Sequence, residues 1–259
     1  MKIMIKREKN KNRFVLPSMS NLRVAKAKNV FIAIFIVISL FSLPGCGDMT
    51  YLEINNPELI KGIVADGPWD ITVYQSEKPN VYIDYKDTYD ITAEVRSDGY
   101  LHLKVKHRIL RPNLRKDLQV MIEIPYIEHI KASGDCRISL NGKFEGDRCR
   151  IELNGASDFK HFDFYGNSLD LDLDGASNCS MSGEVNHVKM SGSGASDLNM
   201  YNLTTETLDI NLSGASDAEI TVNERITGKL TGASCLKYRG NADHKDVKTS
   251  GASDVKKRS

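Results

Sequence analysis

The stretch LDINLSGASDAEITV, residues 208–222, contains two short runs of alternating apolar and polar residues joined by Gly-Ala-Ser-Asp. Alternation with a period of two is typical of a β-strand that buries one face. Glycine allows backbone angles that other residues avoid, and serine and aspartate can hydrogen-bond to neighbouring backbone groups. The stretch therefore predicts a strand, a small turn and a second strand, with the aspartate closing the turn.

The same turn recurs along the second half of the chain. Exact copies start at Gly155, Gly194, Gly214 and Gly251, and near-copies start at Gly175 and Gly232. With a degenerate version at 132–135, the last turn position falls at residues 135, 158, 178, 197, 217, 235 and 254. The intervals are 23, 20, 19, 20, 18 and 19 residues. A period of about 20–50 residues indicates a stacked repeat, and about 20 extended residues suit one turn of a flattened or triangular coil.

The predicted fold is all-β, a single-stranded parallel β-helix of about 20 residues per rung, with six to seven rungs over residues 131–259. Residues 55–130 also contain strand patterns, but not at this period. Because an open solenoid end exposes apolar surface and unpaired strand groups, we expect this N-terminal β-rich segment to cap the coil or merge with it. A leucine-rich repeat fits less well, since the second half of each repeat shows no helical period.

Residues 1–45 have the features of an export signal. A 14-residue apolar run, 30–43, follows several basic residues and ends in Leu-Pro-Gly before Cys46. This resembles a bacterial lipobox, which implies cleavage before Cys46, lipidation of its thiol, a short linker over 46–54, and anchoring in the cell envelope, with the outer membrane expected. An ordinary signal peptide or an N-terminal anchor helix are the alternatives, and Met19 is a second candidate start.

The charge balance changes when the signal is removed. Nine of the 35 Lys and Arg and one of the 34 Asp and Glu lie in residues 1–45, so 26 basic and 33 acidic residues remain. A chain with this mild acidic excess and no basic stripe is not expected to bind nucleic acid.

The acidic column at the turns is the sharpest candidate site. In-register stacking would align Asp158, Asp197, Asp217 and Asp254, with Asn178 and Cys235 interrupting the ladder. Carboxylates one rung apart could bind Ca²⁺ or act as an acid/base pair. The interruptions favour a structural turn residue instead, so we expect no catalytic residue, metal or cofactor.

Two further sets of side chains could form a surface. Short polar residues precede the turn glycines and could hydrogen-bond a glycan: Asn154, Asp174, Ser193, Ser213, Thr231 and Ser250. Aromatic residues of the N-terminal segment could stack on sugars, although strand core is the favoured interpretation: Trp69, Tyr74, Tyr82, Tyr85 and Tyr89.

The remaining cysteines are scattered along the coil. Cys149 shares the inward phase of the strands, Cys136 and Cys179 are assigned to the apolar position after the turn, and Cys235 takes the aspartate position. Residues two rungs apart are about 9–10 Å apart, too far for a disulfide, so buried reduced thiols are expected.

The whole pattern resembles the putative auto-transporter adhesin, head GIN domain family. The resemblance rests on Ile122-Glu123-Ile124-Pro125, then on residues 130–135, the iterated turns and the upstream lipobox, and it covers about residues 55–255. It implies a secreted or lipid-anchored bacterial protein with a β-helical body, and it carries over no catalytic residues.

These observations favour a lipid-anchored, non-catalytic cell-envelope protein that presents a β-helix to a carbohydrate or an envelope protein. A polysaccharide-active β-helix enzyme and a periplasm-facing structural or signalling protein are the alternatives, because the fold alone does not select a function. Any binding site is expected where the repeat breaks, or beside that point.

Overall fold

The computed structural model describes residues 49–53, 57, 60–86, 89–106 and 117–258. The predicted signal segment, residues 1–45, and Cys46 lie outside these ranges. Over the described ranges the chain is built of strands and turns and contains no α-helix. Consequently, none of those residues belongs to a helix long and apolar enough to cross a membrane.

Within these described ranges, seventeen strands form one continuous sheet. In chain order they are β1 Met49–Glu53, β2 Gly62–Asp66, β3 Asp70–Gln75, β4 Asn80–Lys86, β5 Ile91–Val95, β6 Tyr100–Val105, β7 Leu118–Ile124, β8 His129–Gly134, β9 Arg137–Asn141, β10 Lys143–Gly155, β11 Asp158–Gly175, β12 Asn178–Gly192, β13 Asp197–Leu212, β14 Asp217–Gly232, β15 Cys235–Arg239, β16 His244–Gly251 and β17 Asp254–Lys257. The predicted fold class is confirmed: the repeat is a parallel β-solenoid of about 6 turns of roughly 20 residues.

Each rung of the repeat has three faces. The entry face leads into the Gly-Ala-Ser-Asp corner and comprises segments such as 149–155, 169–175, 188–192 and 208–212. The exit face follows the corner, as at 158–160, 178–180, 197–200 and 217–221. The third face returns the chain to the next entry face, as at 143–146, 163–166 and 182–185. From β11 to β13, all three faces pair in parallel with the rungs on either side.

The core consists of apolar columns that run along the solenoid axis. One column on the entry face stacks Ile130, Ile151, Leu171, Met190 and Ile210 in register, and all are at most 2% exposed. The alternation in sequence produces this arrangement, because every second side chain points inward and the register keeps equivalent positions aligned.

The N-terminal strands continue the same stack. β2 and β3 pair in parallel with β8 and β9, although Gly62 and its partner His129 are 67 residues apart in sequence. β6 and β7 form the next rung outward, in parallel with β2 and β3. β4 and β5 then run antiparallel to β7 and β6, and β1 runs antiparallel to β4. Reversed strands therefore cover the N-terminal end of the parallel stack.

Candidate functional site

The third residue of every corner closes the turn with its side chain. In the repeat, Ser157, Ser177, Ser196, Ser216, Ser234 and Ser253 each donate a hydroxyl hydrogen bond to the carbonyl three residues earlier, at 2.9–3.2 Å. Serine has this role, whereas the sequence suggested aspartate. Serine is favoured here because its short side chain can reach back to a nearby carbonyl within the turn.

Two earlier corners make the same bond with other side chains. The Sγ of Cys136 donates to the carbonyl oxygen of Ser133 at 3.5 Å, and the Nε1 of Trp69 donates to the carbonyl oxygen of Asp66 at 3.2 Å. The corner at 67–70 aligns with the one at 134–137, because Asp70 pairs with Arg137. Sequence reasoning missed this corner, since proline and tryptophan replace the alanine and serine that mark the others.

The register also corrects the start of the acidic column. Arg137, not Asp135, pairs with Asp158, so Cys136 occupies the serine position and Ile138 the apolar position after the turn. The expected equivalence of Cys136 and Cys179 is therefore wrong. The column reads Asp70, Arg137, Asp158, Asn178, Asp197, Asp217, Cys235 and Asp254.

Lysines accompany most carboxylates of this column. Asp158 accepts from Lys160 at 2.8 Å, and Asp254 lies 2.8 Å from Lys256. The hydrogen bond from Lys256, together with the backbone bond from Val255, lowers the pKa of Asp254. Such lysines come from the same strand and are partly exposed, which makes each pair a weak surface contact.

Lys237 serves two carboxylates of the preceding rung. Its Nζ lies 3.1 Å from Glu219 and 3.8 Å from Asp217. In the part of the chain that the structure describes, no group of three or more His, Cys, Asp or Glu side chains is placed to hold a metal ion. Most carboxylates of this column are therefore surface groups that pair with nearby lysines.

The polar column before the turn glycines bonds along the solenoid axis. The hydroxyls of Ser213 and Thr231 each donate to a carbonyl of the preceding rung at 3.4 Å, and Ser193 donates to the carboxylate of Asp174. These bonds hold neighbouring rungs in register. They also leave fewer free hydrogen-bonding groups for a ligand than the sequence suggested.

The five aromatic candidates divide into two groups. Trp69, Tyr85 and Tyr89 are at most 7% exposed and belong to the core, whereas Tyr74 and Tyr82 are 40% and 38% exposed. The latter point outward from β3 and β4, on the exit face near the N-terminal end. The structure does not bring all five together as one stacking patch.

All four cysteines in the described ranges are free thiols, and three of them, Cys136, Cys149 and Cys179, are buried. Burial raises the pKa of Cys149 and Cys179 far above the ordinary thiol value. Burial also raises the pKa of the partly exposed Cys235. Since the thiolate is the reactive form, these thiols are poor nucleophiles.

A charged cluster lies on the entry face of the first repeat rungs. The carboxylate of Glu152 lies 2.6 Å from Lys131, 2.7 Å from Arg150 and 3.3 Å from His129. Burial raises the pKa of Glu152, but the hydrogen bond from Lys131 and the surrounding positive charges outweigh it, so the net pKa is lowered. Burial is the main cause of the lowered pKa of His129. The single carboxylate of Glu152 is shared by Lys131, Arg150 and His129, so the cluster resembles a structural contact between rungs.

A shallow cavity of about 290 Å³ opens on the entry face of β12, β13 and β14. Apart from Ser168 of β11, its polar lining is a grid of two outward columns: His187, Thr207 and Arg225 in one, and Lys189, Asp209 and Thr227 in the other. The buried residues Val188 and Leu208 form the floor. Spacings of about 3.3 Å per residue along a strand and 4.8 Å between strands make this grid roughly 7 Å by 10 Å.

The cavity adjoins one of the register shifts of the repeat. Between β13 and β14 the register shifts, so Thr205 pairs with Val222 but Thr207 pairs with Arg225. On β13 a single residue, Glu206, therefore lies opposite two residues of β14. An extra residue of this kind bends the strand and re-aims neighbouring side chains. Sequence reasoning anticipated a site near such a break but named none of these residues.

Comparison with known proteins now identifies the family. The model of the family described as "putative auto-transporter adhesin, head GIN domain" matches residues 61–242, most of the chain. The chain belongs to this family. The matched region runs from β2 of the N-terminal rungs almost to the last rung, so the family fold includes both regions of the solenoid. No curated protein matches the chain.

Solved structures share the fold at low sequence identity. A putative adhesin from Bacteroides fragilis is 17% identical, with a TM-score of 0.72, and the match covers 82% of this chain and 96% of that one. A putative adhesin from Parabacteroides distasonis is 19% identical, with a TM-score of 0.59 and coverage of 83% and 98%. A putative lipid binding protein from the same species is 14% identical, with a TM-score of 0.60 and coverage of 82% and 97%.

Proposed function

We propose that this protein is a lipid-anchored component of the bacterial cell envelope that binds a glycan, without cleaving it, on the outer faces of its solenoid. Membership of a family described as adhesins supports an adhesin-like, non-catalytic role at the cell envelope or surface. The observation that carries the proposal is the parallel pairing of successive rungs from β8 to β17, which holds outward polar side chains in columns along the solenoid. Because its side chains are already held in place, such a surface loses little conformational entropy when it binds a ligand.

The carboxylates of the acidic column support a binding role over hydrolysis. A hydrolytic pair needs one carboxyl group with a raised pKa and a second one that stays ionised. Asp158, Asp217 and Asp254 instead lie within 4 Å of lysines. Paired carboxylates of this kind suit a charged surface that contacts a ligand at several points.

The anchor is tested by the Cys46→Ala variant in cell fractionation. We expect the variant to leave the membrane fraction, because the lipidated thiol is the proposed attachment point. Cys235→Ala is the matched control, since this thiol lies on a solenoid corner. Membrane retention of the Cys46→Ala variant would disprove the anchor.

The ligand is tested by incubating the chain from residue 46 onward, carrying Cys46→Ala, with a glycan array and with envelope extract. Retention of a defined oligosaccharide, recovered at its original length by mass spectrometry, is the expected result. Recovery of shortened oligosaccharide would indicate the polysaccharide-active alternative. Capture of one envelope protein without glycan would indicate a protein partner and overturn the glycan proposal.

A further inference from the structure

The cavity at the register break contains cations that are not neutralised by neighbouring carboxylates. Lys189 and Arg225 are exposed, and neither has a carboxylate oxygen within 4 Å among the described residues. On the exit face, by contrast, Lys237, Lys160 and Lys256 each contact a carboxylate within that distance. Unpaired cations in a concave site favour an anionic ligand, because such a ligand supplies the missing charge.

The remaining groups of the grid suit hydroxyls. The Nδ1 of His187 lies 2.8 Å from the hydroxyl of Thr207, an arrangement that orients the ring and turns its other nitrogen away from that partner. Asp209 is exposed and provides two acceptor oxygens, while Thr207 and Thr227 can both donate and accept. The lining therefore offers acceptors and donors next to a positively charged region.

We propose that this cavity binds one acidic sugar unit of a glycan, with Arg225 and Lys189 contacting its carboxylate and Asp209 and Thr207 contacting its hydroxyls. The inference rests on the proposed glycan-binding function and names the ligand class of that function. The cavity suits a single sugar unit, because its volume of about 290 Å³ lies at the lower end of the range for small-molecule sites, about 300–1,000 Å³.

The backbone around the cavity is held in place. The six residues of the grid stand on the strands β12, β13 and β14, which pair in register across it. Beneath them Val188 and Leu208 are 2% and 1% exposed. Sites on rigid strands keep their geometry better than sites on loops, so binding needs little reorganisation of the backbone.

Isothermal titration of the chain from residue 46 onward, carrying Cys46→Ala, tests the inference. The probes are a tetramer of galacturonic acid and the same tetramer with its carboxylates methyl-esterified. We expect the acid to bind and esterification to weaken binding by about tenfold or more, because charge-assisted hydrogen bonds are lost. Equal binding of both forms, or no binding of the acid, overturns the proposal.

Matched variants locate the site. Arg225→Gln, Lys189→Gln and Asp209→Asn should each weaken binding of the acid by about tenfold. Lys229→Gln is the control, since this exposed lysine lies on the same face of β14 but outside the cavity; its binding should change less than about twofold. If Lys229→Gln and Arg225→Gln weaken binding of the acid equally, the acid is attracted by the overall charge of this face, and the proposed site is wrong. Thermal melts of each variant show whether the fold is intact.

The outcome also separates this inference from the proposed function. If another glycan is retained on the array while the galacturonic acid tetramer is not bound, the proposed function stands and the inference fails. If no glycan of any kind is retained, both fail.

Discussion

The N-terminal rungs and the repeat build one type of corner from different residues. In the repeat, Gly214 has a φ of 76° and Ser216 closes the turn. In the N-terminal corner, Gly67 has a φ of 128° and Trp69 makes the equivalent bond. The corner therefore requires a glycine at positive φ and a donor two residues later. The repeated sequence is the most frequent way of meeting this requirement.

The two regions also differ in how the chain advances. In the repeat each rung is followed directly by its neighbour, whereas the rung of β2 and β3 is separated from its neighbour, β8 and β9, by β4 to β7. The inserted strands form the end of the stack, where β4 and β5 run against the direction of the rungs. A regular sequence thus extends the solenoid, and an irregular one terminates it.

Placing serine at the two corners that lack it, those of Trp69 and Cys136, gives the largest expected effect. Trp69→Ser should lower the free energy of unfolding by about 3–5 kcal/mol, because a fully buried indole is replaced by a small side chain that leaves a cavity. Cys136→Ser should change it by no more than about 1 kcal/mol, since a hydroxyl can donate to the same carbonyl. Urea denaturation measures both values.

The difference between the two variants in free energy of unfolding tests whether the corners are equivalent. If both serines are tolerated equally, Trp69 does not fill the core as the structure shows. If both are equally damaging, the corner positions of Trp69 and Cys136 are not equivalent to the serine positions of the later corners.

The corner glycine gives the next largest effect. At Gly214 a Cβ would lie 2.4 Å from the carbonyl oxygen of Gly194, and the φ of 76° is unfavourable for other residues. Gly214→Ala should therefore lower the free energy of unfolding by about 2–3 kcal/mol. In Gly146→Ala, the control, the nearest atom to the new Cβ is 3.7 Å away. This variant should be neutral or slightly stabilising, and an equal loss would show that any strand glycine is required.

The difference between the N-terminal rungs and the repeat explains which parts of the fold the sequence predicts. Period and alternation predict the repeat, because each rung has the same length and the same buried positions. The period and the alternation do not predict the corner at residues 67–70. This corner contains Pro68 and Trp69, and its neighbouring rung is 67 residues away in the sequence. The sequence also misplaces the first corner of the repeat by two residues. It assigns the aspartate position to Asp135, whereas Arg137 occupies that position in the structure.

The candidate cavity depends on details that the repeat pattern does not contain. Its residues have no common type, and the pairing of β12, β13 and β14 brings them together next to the register shift that precedes Arg225. The irregular interval of 18 residues after Asp217 indicates a break. The side chains that meet there become visible only when the strands are in register.

The smallest expected effect concerns the serine hydroxyls within the repeat. Ser216 is fully buried and Ser253, in the last rung, is partly exposed, yet both donate to the carbonyl three residues earlier at 3.0 Å. Ser216→Ala should lower the free energy of unfolding by about 1–2 kcal/mol, because the bond that the fully buried hydroxyl of Ser216 donates to the carbonyl of Ser213 is lost. Ser253→Ala should cost less than about 0.5 kcal/mol, since water can reach that carbonyl. Urea denaturation of both variants compares the two corners directly. Equal losses would show that the hydroxyl sets the turn itself at every rung, and two negligible losses would show that glycine alone determines the corner.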